Sequence, residues 1–185
     1  MSHLLKLCFF FALLLPATSW AQATRTQRPK AAAPLKWQEN RKLTWADFQA
    51  KAFPSDTKYA LTTSDMKVGI ACDGDAFSFT VEALFIPSES WTRSLSSDAL
   101  LAHEQLHFDL TELHARKLRK TFAMLPAPCL VPEKEMQKLI DQAFADWHQM
   151  QEDYDHATNH GLNKEAQAAW QKLISAGLAQ FAAVQ

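Results

Sequence analysis

Residues 103–107 read His103-Glu104-Gln105-Leu106-His107. Two histidines four positions apart share one face of a helix, so both imidazoles can reach a single Zn²⁺. Glu104, one position after the first histidine, falls about 100° round the helix at the flank of that face. From there it can take a proton from a water whose pKa a zinc ion lowers to about 7. These are the parts of a zinc hydrolase. No phosphate-binding loop competes with them, because the chain has only 4 glycines and neither a G-x-x-x-x-G-K nor a G-x-G-x-x-G string.

A catalytic zinc takes three protein ligands and keeps one position open. The same helix cannot supply the third. Asp109 points about 200° away from His107, Glu112 lies about 180° from His103, and His114 sits roughly 10 Å too far along the axis. The best source is residues 154–161, Tyr154-Asp155-His156-Ala157-Thr158-Asn159-His160-Gly161, where a second helix ends and can turn back on the first. Zinc accepts imidazole or carboxylate there, and chemistry orders the candidates as His160, then Asp155, then His156. His148 and Glu152 lie earlier on that helix and need a different crossing point.

The elements that must carry these residues are legible in the hydrophobic pattern. Residues 67–71 and 76–85 hold β-branched and aromatic residues on either side of Asp73-Gly74-Asp75, which predicts a hairpin. Residues 45–52 suggest a short helical turn. After Ser96 the period becomes 3.6: Ser97 or Ser96 can cap a helix with Asp98 in its first turn. Its stripe of Leu100, Leu101, Leu106, Leu110, Leu113 and Leu118 runs to about Met124, and Pro126 and Pro128 end it. A second helix should start at Pro132-Glu133 and run to about Tyr154. A third spans 164–181 with Ala166, Trp170, Leu173 and Leu178 as its apolar side, and Gly161 separates the two. The expected class is α+β, a small antiparallel sheet followed by the His103–His107 helix and two further helices.

Place is written at the start of the chain. Lys6 precedes the apolar run from Leu7 to Leu15, Pro16 breaks it, and Ala21-Gln22-Ala23 follows. This is the pattern of a signal peptide over residues 1–23, cut after Ala23 or, as the second choice, after Ala21, and an apolar run of about nine residues is too short for a membrane anchor. Residues 24–36 then read as a flexible lead-in to a single domain over 37–185. In an exported chain Cys72 and Cys129 most simply form one disulfide. Net charge is -1, from 19 Lys plus Arg against 20 Asp plus Glu, with no basic block, so nucleic acid is not an expected partner.

Three separated strings resemble a known family. They are Leu43-Thr44-Trp45-Ala46-Asp47-Phe48; Leu100-Leu101-Ala102-His103-Glu104-Gln105-Leu106-His107-Phe108-Asp109 with Glu112 and Ala115-Arg116; and Tyr154-Asp155-x-x-Thr158-x-His160-Gly161 with Gln167-x-x-Trp170. They look like the bacterial domain of unknown function 922, whose members are classed as predicted secreted zinc-dependent proteases. The resemblance spans roughly Leu43 to Leu173. It implies a compact zincin-like metallopeptidase in which His103 and His107 bind zinc, Glu104 is the base, and the T-x-H-G segment supplies His160.

The expected function is therefore hydrolysis of peptide bonds in a peptide or protein substrate, in the periplasm or outside the cell of a bacterium. Two other readings use the same residues: a secreted zinc-binding structural module, and an amide hydrolase acting on cell-wall material. Around the site, Phe108 and Trp45 read as core, and Asp109 with Arg116 as a structural pair. Asp109, Glu112 or Asp155 could accept the second ring N–H of a ligand histidine. Tyr154 is a candidate oxyanion donor or a packed side chain, and Trp91 with Arg93 could edge a substrate groove.

Overall fold

The computed structural model of the chain describes residues 32–182. The signal peptide expected over residues 1–23 and most of the lead-in lie outside them. Among the described residues the fold is α+β. Five strands, β1 (Leu35–Lys36), β2 (Ala60–Leu61), β3 (Ser64–Asp73), β4 (Ala76–Phe85) and β5 (Trp91–Thr92), precede three helices, α1 (Asp98–Ala123), α2 (Glu133–Thr158) and α3 (Lys164–Gln180). None of these helices is both long and apolar enough to cross a membrane.

The predicted hairpin is β3–β4, antiparallel in register from Ser64↔Phe85 to Asp73↔Ala76. Its loop is Gly74-Asp75, with Gly74 at φ 59, a left-handed value that glycine adopts without strain. β1 adds to the other side of β4, giving the order β1-β4-β3, while β2 pairs with β5 in a separate ribbon. Strand β1 corrects the lead-in: Leu35 and Lys36 pair with Phe85 and Leu84, so the folded part begins before residue 37.

Along β4 alternate residues turn inward. Val81, Ala83 and Phe85 are buried, and Phe77 and Phe79 continue the same face toward the hairpin tip. They pack on the α1 residues Phe108, Ala115, Leu118 and Phe122; the Phe85 and Phe108 rings are 5.8 Å apart and Phe79 and Phe122 5.4 Å. On its other side α1 meets a second cluster of Leu106, Leu110, Tyr154 and Ile174, with Trp170 and Leu178 against it. Of the expected apolar side of α3, Trp170 and Leu178 face the core, but Ile174 is fully buried in place of Leu173, which is 54% exposed.

Helix α1 is covered on nearly every side, so its polar residues need internal partners. Arg116 donates to Glu112 (2.8 Å) and to the carbonyl of Leu178 (2.7 Å), and Arg119 donates to Glu112 (3.0 Å) and to the carbonyl of Val81 (2.8 Å). One carboxylate and two guanidinium groups therefore tie α1 to β4 and to α3. Asp109 and Arg116 have the structural role expected of them, though not through a bond to each other. Asp109 instead accepts from Trp37 Nε1 (2.7 Å) and Gln105 Nε2 (2.9 Å).

Two consequences are measurable. The Cys72–Cys129 disulfide is present, with Cα atoms 5.8 Å apart, and fixes the exposed end of β3 to the link between α1 and α2. Replacing both cysteines by serine should lower folding stability by about 2–4 kcal/mol in urea denaturation, with the helical site intact. His114, buried on α1 beside Met150, has its imidazole pushed down to about 4 by burial, with Lys117 adding to the effect. The unfolded chain then binds the proton more readily between pH 6.5 and 4, so stability falls as pH drops through that window, by about 3 kcal/mol in all. His114→Gln should flatten this acid limb relative to the wild type; parallel limbs would refute the assignment.

Candidate metal centre

Helix α1 starts where expected. Ser97 caps it, its side chain accepting from Leu100 N at 3.2 Å, and Asp98 occupies the first turn. His103 and His107 then share one face, ring centroids 4.8 Å apart. Opposite them, α2 runs one turn past its expected end at Tyr154 and continues to Thr158. That extra turn places Asp155 on the helix, four positions after Gln151 and facing α1. Asp155 Oδ1 lies 3.1 Å from His103 Nε2 and 3.0 Å from His107 Nε2, and the two Nε2 atoms are 3.2 Å apart. One atom from each residue thus forms a nearly equilateral triangle.

The donor set fits a zinc ion. Ligand bonds of about 2.0–2.1 Å in tetrahedral geometry put neighbouring ligand atoms about 3.3 Å apart, close to this triangle. The hydrogen bonding behind the ring nitrogens agrees. Gln151 Nε2 donates to the carbonyl of His107 (2.9 Å), which fixes its Oε1 as the acceptor lying 2.6 Å from His107 Nδ1. The hydrogen is therefore on Nδ1, and in the neutral ring Nε2 presents a lone pair to the triangle. Gln167 Oε1, 2.9 Å from the Tyr154 hydroxyl, lies 3.1 Å from His103 Nδ1. These two glutamines take the role expected of Asp109, Glu112 or Asp155. Gln151 could have been found as a polar residue on the buried stripe of Trp147, Tyr154 and Thr158; Gln167 stood in the family string without a role.

Charge follows the same logic. Burial works against the charged His107 ring, but the bond to Asp155 and the charges of Glu104 and Asp155 outweigh it and raise its pKa. Burial likewise opposes the Asp155 carboxylate, yet the bonds from His103 and His107 hold it well below the usual carboxylate range. The group thus keeps a negative oxygen aimed at two ring nitrogens, an arrangement that could hold a metal ion.

The other candidates stand outside the triangle. His160 is 55% exposed, with Nδ1 3.2 Å from the second Asp155 oxygen, Oδ2. His156 is exposed on α2. Tyr154 is wholly buried, stacked on the His103 ring at 4.7 Å, and burial pushes its phenol pKa up, so it acts as a packed support. Trp91 is core, and Arg93 donates to the carbonyls of Phe53 and Asp56, pinning a loop. Glu104 lines a cleft of about 700 Å³ that also exposes His103, His107 and Asp155, with residues 57–64 along one wall and Trp147, His148 and Leu162 on another.

Each family string has a physical reading. Leu43 N donates to Gln105 Oε1 (2.7 Å), and Phe48 packs on Phe85 at 5.1 Å, so the first string clamps the chain to α1 and the sheet. In the third, Thr158 Oγ1 donates to the Tyr154 carbonyl (2.7 Å) and accepts from Gly161 N (3.3 Å). Gly161 has φ 82, and a Cβ there would stand 3.0 Å from His103 Cβ and Cγ. Gly161→Ala should therefore displace the His103 ring and weaken metal binding at least 10-fold by chelator competition. Unchanged affinity would show that the ring tolerates the shift.

No curated protein and no solved structure is detectably similar to the chain. A family model does match, over residues 27–161, ending before α3 and its Gln167. The chain belongs to that family, described as bacterial protein of unknown function (DUF922).

Proposed function

We propose that this protein is an exported zinc-dependent metallopeptidase with a zincin-like active helix. The observation that carries the reading is the triangle of His103 Nε2, His107 Nε2 and Asp155 Oδ1, 3.0–3.2 Å on each edge and opening on the cleft with Glu104. In this reading Asp155 takes the ligand position that the family resemblance implies for His160. A bound zinc ion would supply Lewis-acid polarisation of the substrate carbonyl and acidify water.

The residues divide the remaining work. His103, His107 and Asp155 hold the ion, and the Gln151 and Gln167 side chains keep both rings turned toward it. Glu104, at the flank of the ligand face, takes a proton from the attacking water and delivers it to the departing amine. The group found among the described residues is three side chains, which favours a site with an open position over a closed structural one. The Cys72–Cys129 bridge supports an oxidising compartment. The cleft, about 700 Å³ and lined along one wall by residues 57–64, has room for a peptide segment, and cell-wall amides remain a second arm of the test.

The purified full chain should contain close to one zinc by elemental analysis, and His103→Ala should lose most of it. Glu104→Gln should retain the metal while its hydrolysis of peptide substrates falls by about 10²–10⁴. Equal cleavage by Glu104→Gln and wild type would exclude the catalytic assignment. Cleavage confined to cell-wall substrates would move the enzyme to the amide hydrolases. Zinc without hydrolysis of either class would leave the structural module.

A further inference from the structure

We propose that Lys58 and His160 are positioning residues that hold Asp155 as a one-oxygen ligand, an inference that rests on the metal reading above. The Asp155 carboxylate is divided between two environments. Its Oδ1 faces the two imidazole nitrogens at 3.1 and 3.0 Å. Its Oδ2 faces the Lys58 ammonium at 3.4 Å and His160 Nδ1 at 3.2 Å. Lys58 donates to that oxygen, and His160 Nδ1 stands within ion-pair distance of it, facing the carboxylate rather than the triangle.

The two residues come from separate elements. Lys58 lies just before β2, and His160 lies in the turn after α2, where Asn159, His160 and Gly161 all have positive φ (47, 54 and 82). The amide of His160 also donates to the Asp155 carbonyl at 2.9 Å, so the turn is built back onto the residue whose side chain it steadies. A carboxylate free to rotate can offer both oxygens to a metal, and the second would compete for the position that water needs. An ammonium bonded to Oδ2, with an imidazole beside it, opposes that rotation. The ion pair is half exposed (side chains 44% and 18%), so it adds little to folding stability. Its effect should be felt at the metal instead.

The test uses the full chain loaded with zinc or cobalt(II). Lys58→Met and His160→Ala should each weaken zinc about 10–100-fold in chelator competition, the usual effect of losing a group that orients a ligand. Their cobalt absorption should shift from the intense four-coordinate to the weaker five-coordinate pattern, while the metal-free melting temperature stays put. Lys58→Arg restores a cation. His160→Asn restores a donor, because its amide nitrogen occupies the place of Nδ1 and asparagine tolerates positive φ. Both should recover affinity and spectrum. Wild-type affinity and spectrum in Lys58→Met and His160→Ala would overturn the proposal and leave the metal centre standing. Loss in His160→Ala as complete as in His103→Ala, without rescue by asparagine, would make His160 a ligand and overturn it as well. Full metal retention by His103→Ala would remove the metal centre, and the proposal with it.

Discussion

Two imidazole nitrogens and a carboxylate oxygen rest 3.0–3.2 Å from one another only with a proton or a cation among them. Without one, lone pair faces lone pair in a half-buried pocket where water screens poorly. A proton can serve, and the raised pKa of His107 reflects that. A divalent ion serves all three atoms at once. Much of the surrounding construction is what is needed to keep these atoms together: two long helices crossing at one point, each held from behind.

Helix α1 bears the larger part of that demand. It is packed against the sheet through Phe108 and Phe122 and against α2 and α3 through Leu106 and Leu110. Its rotation is fixed by bonds that only one orientation satisfies: the Leu43 amide to Gln105, Arg116 to the Leu178 carbonyl and Arg119 to the Val81 carbonyl. A turn of α1 by one residue, about 100°, would bury Glu104 where His103 stands and strand those donors. Helix α2 is fixed in the same way through Thr111, whose hydroxyl lies 3.1 Å from Trp147 Nε1, 3.2 Å from Gln151 Nε2 and 2.7 Å from Ser64 Oγ. Sheet, α1 and α2 therefore meet at one hydroxyl a single helical turn from His107.

What the sequence disclosed and what it withheld divide along physical lines. The hairpin, the Ser97 cap and the first helix followed from periodicity and capping, because those signals are local. His103, Glu104 and His107 were legible for the same reason, being one turn of one helix. The two-residue strands β1, β2 and β5 were not, since Leu35–Lys36 becomes a strand only because β4 offers a free edge. Which of Asp155 and His160 stands beside the two rings depended on where α2 ends. Residues 155–158 carry no strong stop signal, and the break at Asn159 is a left-handed turn over Asn159, His160 and Gly161 that brings the Gly161 backbone against His103. Gln151 and Gln167 were hidden because an amide on a buried face becomes meaningful only once its partner across the interface is known.

The position of α3 settles what kind of support the site has. The matched family region stops at residue 161, yet Gln167 on α3 reaches His103 Nδ1 and the Tyr154 hydroxyl together. Tyr154 stacks on His103 from below and meets Trp170 of α3 at 5.5 Å. One imidazole is therefore gripped by the Gly161 backbone, a phenol ring and an amide from three successive segments of chain. His107 has only Gln151 and the edge of Tyr154. Such asymmetry suits a centre in which one ligand is rigidly placed and the other faces the cleft: His107 has 14% of its side chain exposed, against 3% for His103. The His107 edge of the triangle is thus the more open to the cleft, while His103 is held by packing.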